Sequence, residues 1–175
     1  MTSSPRIAVV VGNPKPASRT LDAARRVAHA LTDSEPDLVV DLATLGPALL
    51  DRSDPEVGAL VEQVGAAELV VVACPTYKGT FTGLLKLFLD HFAGGTGLRG
   101  LAVPLMLGGS PAHSLAPELS LRPVLTELGA TVPGRGLYVV DATYDDPAAY
   151  DAWLAATKPL VTRLLAETET TGALA

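Results

Sequence analysis

Cysteine is nearly missing from this chain. A single thiol, Cys74, cannot form an intramolecular disulfide, so a reducing compartment is the default. Basic residues are also few: Lys and Arg number 13 against 19 Asp and Glu, a net charge of -6. That balance argues against nucleic acid or an anionic membrane surface as partner, although a local basic pocket could still hold a phosphate. No apolar run approaches the ~18–20 residues that a membrane-spanning helix needs. The start, Met-Thr-Ser-Ser-Pro-Arg, lacks the basic and apolar segments of a secretory signal. The expected location is the cytoplasm. Three scattered histidines show no ligand spacing, so no metal site is expected. The phosphate-loop pattern G-x-x-x-x-G-K-[ST] does not occur.

What is present is regular alternation. Arg6–Val11, Leu38–Leu42, Glu68–Cys74, Leu101–Leu107 and Leu137–Asp141 read as strands, several of them apolar on both faces. Pro104 inside the fourth run predicts a bulge or an irregular stretch. Between the strands lie Ser18–Leu31, Pro55–Val64, Gly83–Phe92, Pro117–Leu128 and Pro147–Leu165, which read as helices. The first carries Leu21, Ala24, Val27, Ala28 and Leu31 at helical spacing, and Pro55 and Pro147 suit the first turns of theirs. Strand–helix repetition of this kind predicts a doubly wound parallel α/β sheet with helices on both faces. One domain is expected over residues 1–166, with a fraying polar tail over 167–175.

Ligands of open α/β sheets bind at the carboxyl ends of the strands, so the loops there hold the chemistry. The first strand is followed by Gly12-Asn13-Pro14-Lys15-Pro16-Ala17-Ser18-Arg19-Thr20, which opens a helix. A helix start offers unpaired N–H groups and a positive dipole end, Ser18 and Thr20 add hydroxyls, and Arg19 adds charge-assisted donors. This set suits a phosphate monoester. The same residues would also make a turn in which Ser18 only caps the helix and Arg19 is solvated. The third strand runs into Pro75-Thr76-Tyr77-Lys78-Gly79, which could wall a planar heteroaromatic ring and offer backbone groups to its edge. A plain strand-to-helix turn is the competing reading. Cys74 reads as a small buried hydrophobe rather than a nucleophile. The fourth strand ends in Gly108-Gly109-Ser110-Pro111-Ala112-His113, where backbone could approach a ligand closely. His113 is an acid–base candidate or a turn histidine. The run GTGLRG, with Gly95, Gly97 and Gly100, matches G-x-G-x-x-G but follows a helix and precedes a strand, the reverse of a dinucleotide site.

Val10–Leu21, Asp41-Leu42, Cys74–Phe92 and Leu107–Leu128 together resemble the NADPH-dependent FMN reductase family, nearest its branch that supplies reduced flavin to two-component alkanesulfonate monooxygenases. The resemblance implies a flavodoxin-like fold with a five-stranded sheet in the order 2-1-3-4-5, assembled as a homodimer or homotetramer. It implies FMN phosphate on Ser18, Arg19 and Thr20, and the flavin ring between Pro75–Gly79 and Gly108–Ser110. NADPH or NADH would be the reductant, passing hydride straight to the flavin, with a flavin-dependent monooxygenase as a partner. A tightly FMN-bound quinone or azo reductase is an alternative, as is an electron carrier without NAD(P)H turnover. The carrier fits less well, because only 5% of the residues are aromatic and such proteins wall the flavin with aromatics. Two positions depart from the family pattern. Asn13 stands where many relatives have Ser, and Leu119 where some sulfonate-system members have a Tyr associated with a local helix insertion.

Overall fold

Strict alternation along the strands decides which helix each side chain meets. In a computed structural model describing residues 6–172, five parallel strands form one sheet. They are β1 (Ile7–Val11), β2 (Leu38–Asp41), β3 (Leu69–Pro75), β4 (Leu101–Gly108) and β5 (Leu137–Val140), in the order β2-β1-β3-β4-β5. Ile7, Val9 and Val11 of β1, with Leu69, Val71 and Ala73 of β3, pack with Ala24, Val27, Ala28 and Leu31 of α1 (Arg19–Thr32) and with Tyr150 and Val161 of α5 (Ala148–Gly172). Ala8 and Val10 point the other way, with Val70, Val72 and Cys74. They meet Val57 and Val64 of α2 (Pro55–Ala66), Leu85 and Phe88 of α3 (Gly83–Leu89) and Leu125 of α4 (Arg122–Glu127). Two cores on two faces are what near-continuous apolar strands require. This is the flavodoxin-like order expected from the sequence.

Three local expectations change. Pro104 makes no bulge: β4 stays in register, with Pro104 opposite Val72. The N–H of Leu101 donates to Glu68 O on the β3 side, and that of Ala102 donates to Thr131 O on the other side. Alternation therefore turns the nitrogen of Pro104 away from β3, one residue before β5 pairing starts at Leu105↔Leu137. No ladder bond is lost there, which is the condition for proline inside a strand.

The segment expected as one helix over Pro117–Leu128 is split. Pro117–Leu121 forms a π-helical turn, closed by the Arg122 N–H on Pro117 O, before α4 begins. Pro123 supplies the reason, since it has no N–H for the Leu119 carbonyl and its ring would strike that carbonyl in a tight α turn. The π turn carries Leu119, 74% exposed, the residue the sequence reading set apart from the family pattern. Finally, α5 continues to Gly172, past Leu165, where the sequence reading ends the helix. Of the expected frayed tail, residues 167–172 are therefore helical, and 173–175 lie outside the described residues.

Candidate functional site

The register of the sheet sets the carboxyl ends of β1, β3 and β4 side by side, and the loops singled out above leave from them. Gly12 extends β1 by donating its N–H to Ala73 O at 2.8 Å. A Cβ on Gly12 would run into Leu85, so only glycine lets α3 pass this close. Asn13 then folds the loop on itself: its Oδ1 accepts the Lys15 N–H at 2.9 Å and its Nδ2 donates to Thr20 Oγ1 at 3.0 Å. Pro14 is exposed at the bend. Ala17, in the left-handed region at φ 48°, gives its N–H to Asp41 Oδ2 at 2.9 Å. Ser18 is buried and caps α1 by accepting from Leu21 N, while Thr20 is buried behind it. The N–H groups of Arg19 and Thr20 fall in the first helical turn, where no intrahelical acceptor exists. The helix start is therefore both capped, as one reading had it, and supplied with spare donors, as the other required.

Arg19 is already engaged. Its Nη1 donates to Asp141 Oδ2 at 2.6 Å, and its guanidinium lies over the Tyr144 ring, 5.6 Å from the centroid. Both side chains of the ion pair are about half exposed, at 59% and 43%.

The third loop is a tight hairpin-like turn. Thr76 N–H donates to Leu107 O at 2.6 Å, tying the loop to β4. Tyr77 and Thr80 exchange backbone bonds of 2.9 and 3.2 Å. Between them Lys78 and Gly79 both take positive φ, 55° and 81°, as a type I′ turn requires. Pro75 is half-buried, while Tyr77 and Lys78 stand in solvent. Thr76 Oγ1 is buried, with the Tyr138 hydroxyl as its polar neighbour. Cys74, directly before, is fully buried, and burial pushes its thiol up to about 12. It packs; it does not attack.

In the fourth loop Gly108 is buried, and Gly109 and Ser110 are exposed. Tyr138 of β5 reaches over Gly108 and donates its hydroxyl to Ser110 O at 2.7 Å. A Cβ on Gly108 would occupy the place of that hydroxyl. Burial raises the Tyr138 phenol above its usual range, with the Thr76 side chain pulling the other way. His113 is exposed, its ring Cδ2 3.6 Å from where a Cβ on Gly79 would sit, so the third and fourth loops meet there.

Four residues that fasten these loops were given no such role by the sequence reading. Thr82, buried, donates to Gly12 O at 2.6 Å and accepts from Leu85 N at 3.1 Å, joining the first loop to α3. A threonine before a helix is a cap signal and could have been found. The other three are Asp41, Asp141 and Tyr138, whose partners lie 24, 122 and 28 residues away in sequence. Only the fold brings them in. Among the described residues no group of three His, Cys, Asp or Glu is placed to hold a metal ion.

Spare donors at a helix start, a buried threonine hydroxyl and open backbone at Gly109 fit a phosphate-bearing heteroaromatic ligand better than a metal or a covalent nucleophile. Fold and site together define a flavodoxin-like mononucleotide-binding protein. Comparison with known proteins narrows the class, and the chain belongs to the NADPH-dependent FMN reductase family, whose sequence profile matches residues 5–145. It is 31% identical over 157 residues to an FMN reductase (NADPH) of Pseudomonas aeruginosa, covering 83% of this chain and 82% of that one. To an NADH-dependent FMN reductase SfnF of Pseudomonas putida it is 30% identical over 167 residues, covering 86% and 88%. The crystal structure of an NADH:FMN oxidoreductase (EMOB) in its apo form superposes with a TM-score of 0.79 at 32% identity, covering 90% of this chain and 89% of that one. Family membership makes the chain an oxidoreductase, an NAD(P)H-dependent FMN reductase.

Proposed function

We propose that the three loops at the carboxyl ends of β1, β3 and β4 hold FMN for reduction by NADPH or NADH. The phosphate would rest on the first turn of α1, against Ser18, Arg19 and Thr20, with Gly12, Asn13 and Pro14 shaping the approach. The ring would lie between Pro75–Gly79 and Gly108–Ser110. Bound FMN supplies the hydride acceptor; the chain supplies position. Rigidity of the loops supports this: Asn13 locks the first, the type I′ turn locks the third, and Tyr138 locks the fourth. No side chain need form a covalent bond, and the buried neutral thiol of Cys74 agrees with that. His113, beside Gly79, is placed to touch a ligand there and is our candidate for a proton-handling role.

The observation that carries the reading is the adjacency of an uncommitted helix start to two backbone-rich loops in one parallel register. We extend it to delivery of reduced FMN to a flavin-dependent monooxygenase. A homodimer or homotetramer is supported by exposed Leu87, Leu115 and Leu119. A cytoplasmic setting is supported by the single free cysteine, and among the described residues no helix is long and apolar enough to cross a membrane. The test is direct: oxidation of NADPH or NADH by the purified protein, with and without free FMN. Turnover that saturates with FMN is expected, and none under either condition would end the proposal. Arg19→Ala should weaken FMN binding several-fold, because a charge-assisted bond contributes roughly 1.5–3 kcal/mol, less where it is exposed.

A further inference from the structure

At the carboxyl edge of the sheet, the cation nearest the start of α1 is neutralised by the chain itself. Arg19 is the first residue of α1, and its guanidinium spans to Asp141, just beyond β5, at 2.6 Å. Tyr144 stacks on the same guanidinium from the following turn. Asp41 takes the Ala17 N–H, so a second carboxylate borders the same loop. A phosphate arriving at the spare N–H groups of Arg19 and Thr20 thus meets a helix dipole and an arginine whose charge is already shared. To engage that arginine it must compete with the Asp141 carboxylate. An ion pair this exposed is weak and open to exchange, which makes the competition a matter of a few-fold rather than a block.

We propose that Asp141 is a positioning residue that holds Arg19 partly away from the flavin phosphate and so keeps FMN exchangeable. The proposal rests on the reading that the phosphate sits at the start of α1. A reductase that hands its product on needs a ligand it can release, and competition for one guanidinium is a simple way to loosen the phosphate alone. The ring contacts, made by other loops, are untouched.

The experiment measures dissociation constants of FMN and of riboflavin, which lacks the phosphate, by flavin fluorescence. The proteins are the full-length wild type, Asp141→Asn, Asp141→Glu, Arg19→Ala and the double variant Arg19→Ala/Asp141→Asn, each at low and high salt. Asp141→Asn should tighten FMN about two- to fivefold, leave riboflavin unchanged, and lose its advantage at high salt. Asp141→Glu should restore wild-type behaviour. In the Arg19→Ala background the Asp141→Asn gain should vanish, since its target is gone. Weaker FMN binding by Asp141→Asn, or an equal change for riboflavin, would overturn the proposal while leaving the phosphate site in place. Equal binding of FMN and riboflavin by the wild type, with Arg19→Ala silent, would instead overturn the site reading and the proposal with it.

Discussion

Gly100 and Gly109, at opposite edges of the sheet, serve different ends. At the amino edge, where β4 begins, a Cβ on Gly100 would run into the carbonyl oxygens of Ala67 and Glu68, and one on Gly97 would strike Ala93 and Phe92. Those glycines exist so that chain can pack on chain. At the carboxyl edge Gly109 has nothing within 4 Å of its would-be Cβ. The amino edge also has a hollow, a cavity of about 480 Å³ lined in part by Glu68, Arg99, Thr131 and Leu164. The ligand-ready donors are nonetheless at the other edge. Glycine content and hollow volume do not by themselves locate a site.

Substitutions can break this contrast, and the largest effect should come from the amino edge. Gly100→Ala is expected to destabilise the fold by about 3 kcal/mol, because the atoms it meets are backbone and cannot rotate aside. Gly109→Ala should stay within about 0.5 kcal/mol of wild type, as surface substitutions do, and act on flavin affinity instead. Urea denaturation of both settles the point, and equal destabilisation would erase the distinction between the edges.

Thr82→Val should come next, at about 2 kcal/mol. It removes the cap of α3 and leaves the Gly12 carbonyl without its buried partner. FMN affinity should fall as well, since the first loop loses its anchor. A stable variant with unaltered affinity would mean that the loop is held by Asn13 alone.

Alkaline pH probes the floor of the site. The Cys74 thiol, about 12 in the fold against an ordinary 9.0, keeps its proton in the native state after the unfolded chain has lost it. The raised Tyr138 phenol acts with the same sign. Stability should therefore be complete below pH 9 and decline as pH rises from there toward 12, by about 1 kcal/mol at pH 10. Denaturant midpoints at pH 8, 9 and 10 test this. An upward trend would show that the thiol is not buried as described.

The smallest effect belongs to Tyr138→Phe. Losing one half-exposed bond to Ser110 O should change stability little and weaken flavin binding by about 0.5–1 kcal/mol, as the fourth loop loosens. Calorimetric titration with FMN measures it. A melting temperature that drops while affinity holds would assign Tyr138 to packing alone.

Much of this layout could be read without coordinates. The apolar runs identify all five strands to within a residue or so, because strands covered on both faces have few places for polar side chains. Ser18 and Pro55 mark their helix starts, since capping and the missing proline N–H act within one turn. GTGLRG could be set aside by its order alone, as it follows a helix and enters a strand. Pro104 misled because a strand proline is harmful or neutral according to which neighbour its nitrogen faces, and that depends on where β5 begins pairing. Pro123 held a usable signal for the break in the helix that was not read.

Local chemistry in the sequence thus determined the elements and the three loops, because hydrophobic period and capping act over a few residues, while the strand order came from the family resemblance. The tertiary structure alone decided what holds those loops and what tempers them: Tyr138 over Gly108, Asp41 on Ala17, Asp141 on Arg19. Each is a contact between residues more than twenty positions apart, made only when strand ends align in register. The charge that a phosphate would meet at α1 is one such outcome, since Arg19 is a free cation in the sequence and half of an ion pair in the fold.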